Sequence, residues 1–289
     1  MYQNELSNNS VISTNHIISW SGGKDSTATI LLFHEHESEL MKPGDKVTIL
    51  FVEVMYDLKR NISGHNPDII DFIYEKKKIF ESWGYNVEIL RSKDKDFLTN
   101  FHHKLTRSPD PARVGMTYGF VSSSGICAIR RDCKLKPMNE WTKLHTNDNQ
   151  VQYVGIALDE PKRLESLHKQ PDRVSLLEKY GYSEAMAMDL CRKYDMVSPQ
   201  YLLPGITRDG CWFCPNAKLC EYKAIYERMP EIWEEYVSLE DTPNLAYPKW
   251  NCYSKETLHD RDKKIKGNNI AQEYYQYNIF DYLTTKKTS

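Results

Sequence analysis

The heptapeptide Ser21-Gly22-Gly23-Lys24-Asp25-Ser26-Thr27 constrains this chain more than any other stretch. The apolar run His16-Ile17-Ile18-Ser19-Trp20 before it reads as a short buried strand, and Ala28-Thr29-Ile30-Leu31-Leu32-Phe33 after it reads as the first turns of a helix. A glycine-rich turn between a strand and a helix is a ready anion site. The glycines let the backbone come close to a phosphate, and unpaired N–H groups at the helix start point at it. Lys24 adds a positive charge, and Ser26 and Thr27 add hydroxyl donors. The loop is not a Walker A loop, because Lys24 is followed by Asp25, and it lacks the G-x-G-x-x-G of dinucleotide folds.

Strand-like and helical patterns alternate beyond it. Val47–Val54 is nearly all apolar, as in a strand buried on both faces. A helix is expected over Asp68–Trp83, with Ile69, Ile70, Phe72, Ile73, Ile79 and Phe80 at helical spacing, followed by strands at Asn86–Leu90 and Val151–Ala157. Such alternation predicts an α/β fold with a parallel sheet and helices on both faces. Ligands then bind beyond the carboxyl ends of the strands, where Ser21–Thr27, Glu53–Asp57 and Ala157–Arg163 fall. Arg107–Cys133, rich in Ser, Gly, Pro and Arg, reads as a substrate loop. From about Tyr182 the chain is mostly helical. The expected division is a flexible segment over 1–14, a nucleotide-binding α/β domain over 15–180, and a helical appendage over 181–289 that carries cysteines. Its Trp212, Tyr222, Tyr226, Trp233, Tyr236, Tyr247 and Trp250 read as core, Glu256–Gly267 as a solvated helix or loop, and Thr284–Ser289 as a frayed end.

With 289 residues, 40% hydrophobic and 27% charged, the chain is expected to be a soluble globular protein. No apolar run approaches the roughly 18 residues of a membrane span, and Met1–Thr14 lacks the basic and apolar regions of a signal peptide. A cytoplasmic protein without a membrane partner is the expectation. A net charge of −2 does not by itself supply a nucleic-acid groove, although a local basic face or a partner protein could.

Seven cysteines, an odd number, argue against a disulfide framework. Cys211 and Cys214 form a C-x-x-C knuckle, Cys220 follows six residues later, and Cys133 lies 78 residues before Cys211. Four thiolates suit Zn(II) or an iron–sulfur cluster, and geometry alone does not choose. Arg130, Arg131, Lys134, Lys136 and Arg208 would stabilise thiolates; Arg130, Arg131 and Lys136 read equally as binders of an anionic substrate or as a solvated basic stretch. Cys191 reads as a core residue of the Ser183–Tyr194 helix, and the histidines, including His102 and His103, as surface residues.

Ser-Gly-Gly-Lys-Asp-Ser resembles the signature of the PP-loop ATP pyrophosphatases. Arg208–Pro215 with Pro230-Glu231-Ile232-Trp233, and Gly155-Ile156-Ala157-Leu158-Asp159-Glu160-Pro161-Lys162-Arg163, are similar to segments of the phosphoadenosine phosphosulfate reductase family within that superfamily. The resemblance covers about residues 16 to 240. It implies an adenine nucleotide α-hydrolase-like fold that binds ATP with Mg²⁺, releases pyrophosphate and adenylates a substrate for sulfur or nitrogen transfer. By this resemblance Ser21, Gly22, Gly23, Ser26 and Thr27 cradle the β,γ-phosphates, Lys24 neutralises the departing pyrophosphate and Asp25 helps to hold Mg²⁺. Glu53 would contact ribose or adenine, with a solvated strand-end carboxylate as the plainer alternative. Glu160 and Arg163 would serve the active site, or form only a surface ion pair. Cys133, Cys211, Cys214 and Cys220 would hold a [4Fe-4S] cluster or Zn²⁺. The cluster-binding reductases carry adjacent cysteines, but here Asp132 precedes Cys133, so the fourth ligand is either Cys127 or Cys220. They also end in a catalytic Glu-Cys-Gly, whereas this chain has only Cys252 in Trp250-Asn251-Cys252-Tyr253. An ATP-cleaving member is therefore favoured over a sulfonucleotide (PAPS/APS) reductase or a low-turnover nucleotide-binding component of a complex. Expected partners are an adenine nucleotide, an unidentified acceptor, and a thiol or sulfur donor protein.

Overall fold

The computed structural model describes residues 13–120, 127–145 and 149–267. The expected flexible segment over 1–14 lies almost wholly outside the described residues, and the expected frayed end at Thr284–Ser289 lies wholly outside them.

The central sheet has five strands, all parallel. In chain order the elements that build it and its covers are β1 (Thr14–Trp20), α1 (Lys24–Glu35), β2 (Lys46–Val52), α2 (Pro67–Ser82), β3 (Asn86–Leu90), α3 (Lys136–Leu144), β4 (Asn149–Tyr153), α4 (Pro161–Leu167), β5 (Arg173–Val174), α5 (Leu176–Lys179) and α6 (Glu184–Lys193). Across the sheet the order is β3-β2-β1-β4-β5, with Ile18 opposite both Ile49 and Tyr153. The chain steps from β1 outward to β2 and β3, then returns to the other side of β1 for β4. That reversal leaves a crevice at the carboxyl ends of β1 and β4, the usual ligand position in doubly wound sheets.

Side chains alternate across the pleat and so feed two layers. Ile18, Trp20, Val47, Ile49 and Phe51 point to one face, where they meet α1, α2 and α6 through Leu31, Phe33, Phe72, Ile73, Phe80, Leu190 and Cys191. Ile17 and Leu50 point the other way, onto Trp141 of α3. Helices therefore cover both faces, as the alternation predicts. Two differences stand out. The fourth strand stops at Tyr153, so Val154–Ala157 runs past the sheet edge, and the two-residue β5 extends the sheet beyond it.

A second apolar core lies beyond the sheet. The helices α7 (Leu219–Arg228), α8 (Pro230–Ser238) and α9 (Leu258–Lys266) pack Tyr222, Ile225, Trp233, Tyr236, Leu258 and Ile265 around Trp212, Phe213 and Trp250. Val54, Tyr56, Phe97, Phe101 and Phe120 join them, so this core draws on chain from both sides of residue 180. The stretch expected as a solvated helix or loop is helical over Leu258–Lys266, with Leu258 and Ile265 as its buried face. Among the described residues no helix is long and apolar enough to cross a membrane.

Candidate functional site

The Ser21–Thr27 loop leaves β1 at the crevice. Gly22 has φ +86°, and a Cβ there would stand 2.9 Å from Ile73 Cδ1, so conformation and space both call for glycine. Ser21 and Ser26 close the turn in a ring of hydrogen bonds. The Gly23 N–H donates to Ser21 Oγ (3.3 Å), the Ser21 and Ser26 hydroxyls are paired (3.1 Å), and Ser26 Oγ donates to the Gly23 carbonyl (3.0 Å). Each hydroxyl has one proton, so the last bond makes Ser21 the donor to Ser26. Ser26 Oγ also accepts from the Ser21 N–H at 3.1 Å. Thr27 is fully buried, and its hydroxyl accepts from the Trp20 indole N–H at 3.0 Å. It pins α1 to the end of β1.

Lys24 opens α1. Its ammonium donates to Asp25 Oδ2 at 3.0 Å and to Glu184 Oε2 at 2.8 Å. Burial works against the charge, but the Glu184 and Asp25 carboxylates outweigh it and hold the ammonium above the ordinary lysine range. Asp25 is pushed up, first by burial and then, against the pull of Lys24, by the Glu184 and Glu160 charges. Its second oxygen, Oδ1, is buried without a hydrogen-bond partner. A buried carboxylate oxygen left unpaired beside a cation is a place for a ligand or metal ion.

The roof comes from a segment that the sequence did not single out. The Lys24 N–H donates to the Tyr201 hydroxyl at 3.4 Å. A Cβ on Gly23 would lie 3.5 Å from both Asp209 Oδ2 and Gln200 Nε2. Glu184, Gln200, Tyr201 and Asp209 thus stand over the loop, and no motif marked the first three. Gly155 forms the opposite wall. A Cβ there would come within 2.6 Å of Asp25 C and Ser26 N.

Glu53 ends just past β2 and is 2% exposed, so it is no solvated carboxylate. Its Oε2 accepts from Arg91 Nε (2.9 Å) and Nη2 (2.6 Å) and from the Tyr74 hydroxyl (3.2 Å). Glu160 precedes α4 and accepts from the Ala157 N–H at 3.2 Å and from Arg163 Nη1 at 2.6 and 2.7 Å. Arg163 is an exposed partner of that i,i+3 pair, while Glu160 also faces Asp25.

The thiols lie on the other side of Asp209. Cys133 sits in a π-helical stretch, Arg130–Leu135, that runs into α3; such stretches are rare and concentrate at functional sites. Its thiol is pushed up to about 12 by burial and by Asp132, with Cys211 and Cys127 adding to the effect. Burial and Cys214 push Cys211 up to about 12, with Cys127 adding again. Cys127, Cys133, Cys211 and Cys214 are therefore electrostatic neighbours. Cys220 takes its upward shift from burial and from Glu221, and its backbone carbonyl packs against Gly205. The Asn100 amide donates to Cys133 Sγ (3.8 Å) and the Arg130 N–H to Cys127 Sγ (3.4 Å). Arg208 meets the Cys214 thiol and donates to the Cys211 carbonyl at 3.4 Å and to Glu221 at 3.3 Å. Among the described residues no three His, Cys, Asp or Glu side chains are drawn together tightly enough to hold a metal ion. In donor chemistry the four neighbouring thiols still fit a thiolate-bound group, since a soft metal replaces the protons that burial otherwise retains.

His65 ties the two regions together. It is buried, its Nε2 accepts from the Val54 N–H at 3.3 Å, and Nδ1–H therefore donates to the Asp209 carbonyl at 3.0 Å. Burial and the Lys134 charge lower its pKa below the usual 6.5. The unfolded chain then takes up the proton first as pH falls, so the contribution of His65 to stability is present above about pH 6.5 and is lost below it. The excess urea midpoint of wild type over His65→Gln should accordingly narrow between pH 7 and 5; a constant or widening gap would contradict the neutral buried imidazole.

No protein-family model matches this chain. Two curated relatives are both uncharacterized proteins of Methanocaldococcus jannaschii. MJ0973 is 22% identical over 225 residues, spanning 76% of this chain and 46% of its own. MJ0066 is 21% identical over 231 residues, spanning 76% of this chain and 40% of its own. The chain thus spans less than half the length of these curated relatives. Among solved structures it is similar to the U34-tRNA thiolase NcsA from Methanococcus maripaludis with its [4Fe-4S] cluster, at 17% identity and a TM-score of 0.40, covering 82% of this chain and 75% of that one.

Proposed function

We propose that this chain is a PP-loop ATP pyrophosphatase, akin to the phosphoadenosine phosphosulfate reductase family, that adenylates an acceptor for sulfur or nitrogen transfer. The observation that carries it is the Ser21–Ser26 loop at the sheet's reversal point, with the Lys24 ammonium held against Asp25 Oδ2 and the buried Asp25 Oδ1 left without a hydrogen-bond partner. An acceptor oxygen attacks the α-phosphorus, the bond from that phosphorus to the bridging oxygen breaks, and pyrophosphate leaves with the electron pair. Charge grows on the leaving group, where Lys24 and the loop N–H groups meet it. Asp25 would hold Mg²⁺ through the oxygen that Lys24 does not use. Glu53, clamped by Arg91 and Tyr74, closes the wall beyond β2, where the ribose or adenine would lie. Glu160 fixes the Ala157–Arg163 turn through the Ala157 N–H.

Cys133, Cys211, Cys214 and Cys127 would hold a [4Fe-4S] cluster or Zn²⁺, with Cys127 taking the fourth position in place of Cys220. Such a group supplies either a site for the transferred sulfur or a rigid anchor for the knuckle. The Asp209 carboxylate lies beside Gly23 and Asp209 precedes Cys211 by two residues, so an acceptor would bind along this segment.

The test is pyrophosphate release from ATP·Mg²⁺ by anaerobically purified protein, with iron and zinc quantified on the same sample. Release with stoichiometric iron supports sulfur transfer, and release with zinc supports a structural site. Cys133→Ser and Cys127→Ser should each lower the bound metal several-fold, whereas Cys220→Ser should leave it in place. Equal loss in Cys220→Ser would return that cysteine to the ligand set.

A further inference from the structure

The Lys24 ammonium lies between two carboxylates, Asp25 Oδ2 at 3.0 Å and Glu184 Oε2 at 2.8 Å. Asp25 is its neighbour on α1. Glu184 is the first residue of α6 and comes from 160 residues away. Its position is built into the fold. The Glu184 N–H donates to Asp159 Oδ1 at 3.0 Å, and the Leu158 N–H donates to the Tyr182 carbonyl at 2.9 Å, so the start of α6 is tied to the turn after β4. Further along α6, the Cys191 thiol donates to the Lys24 carbonyl at 3.4 Å, and Ala187 and Leu190 pack in the core shared with α1. The backbone of α6 is fixed, while the Glu184 side chain is about half exposed and able to swing.

One ammonium therefore faces two carboxylates, with Glu160 also acting on Asp25 and the Tyr201 hydroxyl on the Lys24 N–H. The charge at the mouth of the loop is negative before any phosphate arrives. A bare polyphosphate meets a cation already matched and a carboxylate in its path, and like charges a few ångströms apart repel. A polyphosphate carrying a divalent cation meets no such penalty: its metal faces the carboxylates and its oxygens take over the ammonium.

We propose that Glu184 is a specificity-determining residue that makes the phosphate loop reject free polyphosphate and accept it as a complex with a divalent cation. This rests on the pyrophosphatase reading of the loop. In the metal complex Glu184 swings from Lys24 toward the hydrated cation and releases the ammonium to the phosphates, whereas Asp25 stays in place.

The experiment is calorimetric titration of the full chain with inorganic pyrophosphate, in EDTA and in excess MgCl₂. Wild type should bind at least about tenfold more tightly with Mg²⁺. Glu184→Gln should bind metal-free pyrophosphate about tenfold more tightly than wild type, the scale expected for removing one like charge near the surface, so that its Mg²⁺ dependence collapses. Glu184→Asp keeps the charge and should keep the dependence. A Glu184→Gln variant with wild-type metal-free affinity, or one weakened equally in both buffers, overturns the proposal and leaves the pyrophosphatase reading standing. Absence of binding by wild type in both buffers overturns the two together. Equal urea midpoints for the three proteins exclude misfolding as the cause.

Discussion

Lys24→Ala should abolish pyrophosphate release from ATP·Mg²⁺, with a fall of about a hundredfold to a thousandfold or more, as when a fixed donor aimed at developing charge is removed. The effect has two parts. The substitution removes the cation that meets the leaving group, and it leaves Asp25 and Glu184 facing the phosphates with nothing between them. The double variant Lys24→Ala/Glu184→Gln separates them: relief of repulsion should restore part of the pyrophosphate affinity but none of the turnover. Lys24 is held by side-chain contacts at the start of α1, outside the apolar core, so far-UV circular dichroism should not change. Unchanged release by Lys24→Ala would end the pyrophosphatase reading.

Gly155→Ala should cost both stability and nucleotide affinity. The reason is space rather than backbone freedom, since Gly155 is not among the positive-φ residues. Its Cβ would stand 2.6 Å from Asp25 C and Ser26 N and 2.8 Å from Asp25 O, and a backbone cannot turn aside as a side-chain tip can. Overpacking of this kind costs about 1–3 kcal/mol, and relief requires the Ser21–Thr27 loop itself to move. The measurements are the urea midpoint and the pyrophosphate affinity of one preparation. Both should fall, and Gly155→Val should fall further. Wild-type affinity in Gly155→Ala would show that the segment after β4 does not brace the loop.

The loop and the sheet were legible because they are local. Glycine, lysine and hydroxyl residues between an apolar run and a helical one carry their own chemistry, and period-two and helical patterning place β1, β2, β3 and α2 within a residue or two, while α1 begins one turn earlier than Ala28, at Lys24. Periodicity carries the fourth strand too far: Val154 still donates its N–H to the Val174 carbonyl, but Ile156 and Ala157 are apolar because they pack against α4 and the sheet core. Thr27 shows the same limit. Only the tertiary structure reveals that its buried hydroxyl accepts from the Trp20 indole. A charged stretch near the C-terminus gave little sign of α9, because two buried residues on one face, Leu258 and Ile265, suffice to seat it.

By itself the sequence determined the chemistry at hand: a lysine and an aspartate on a glycine turn between a strand and a helix, a cysteine pair on a knuckle, and a parallel α/β scaffold. Those are properties of neighbours along the chain, set by backbone geometry and side-chain type. Only the tertiary structure decided which distant groups share the site. It brought Glu184 to Lys24 from 160 residues away and laid Gly155 against the Asp25 backbone. The physical reason is that Coulomb and contact forces act through space, whereas a motif records only order along the chain.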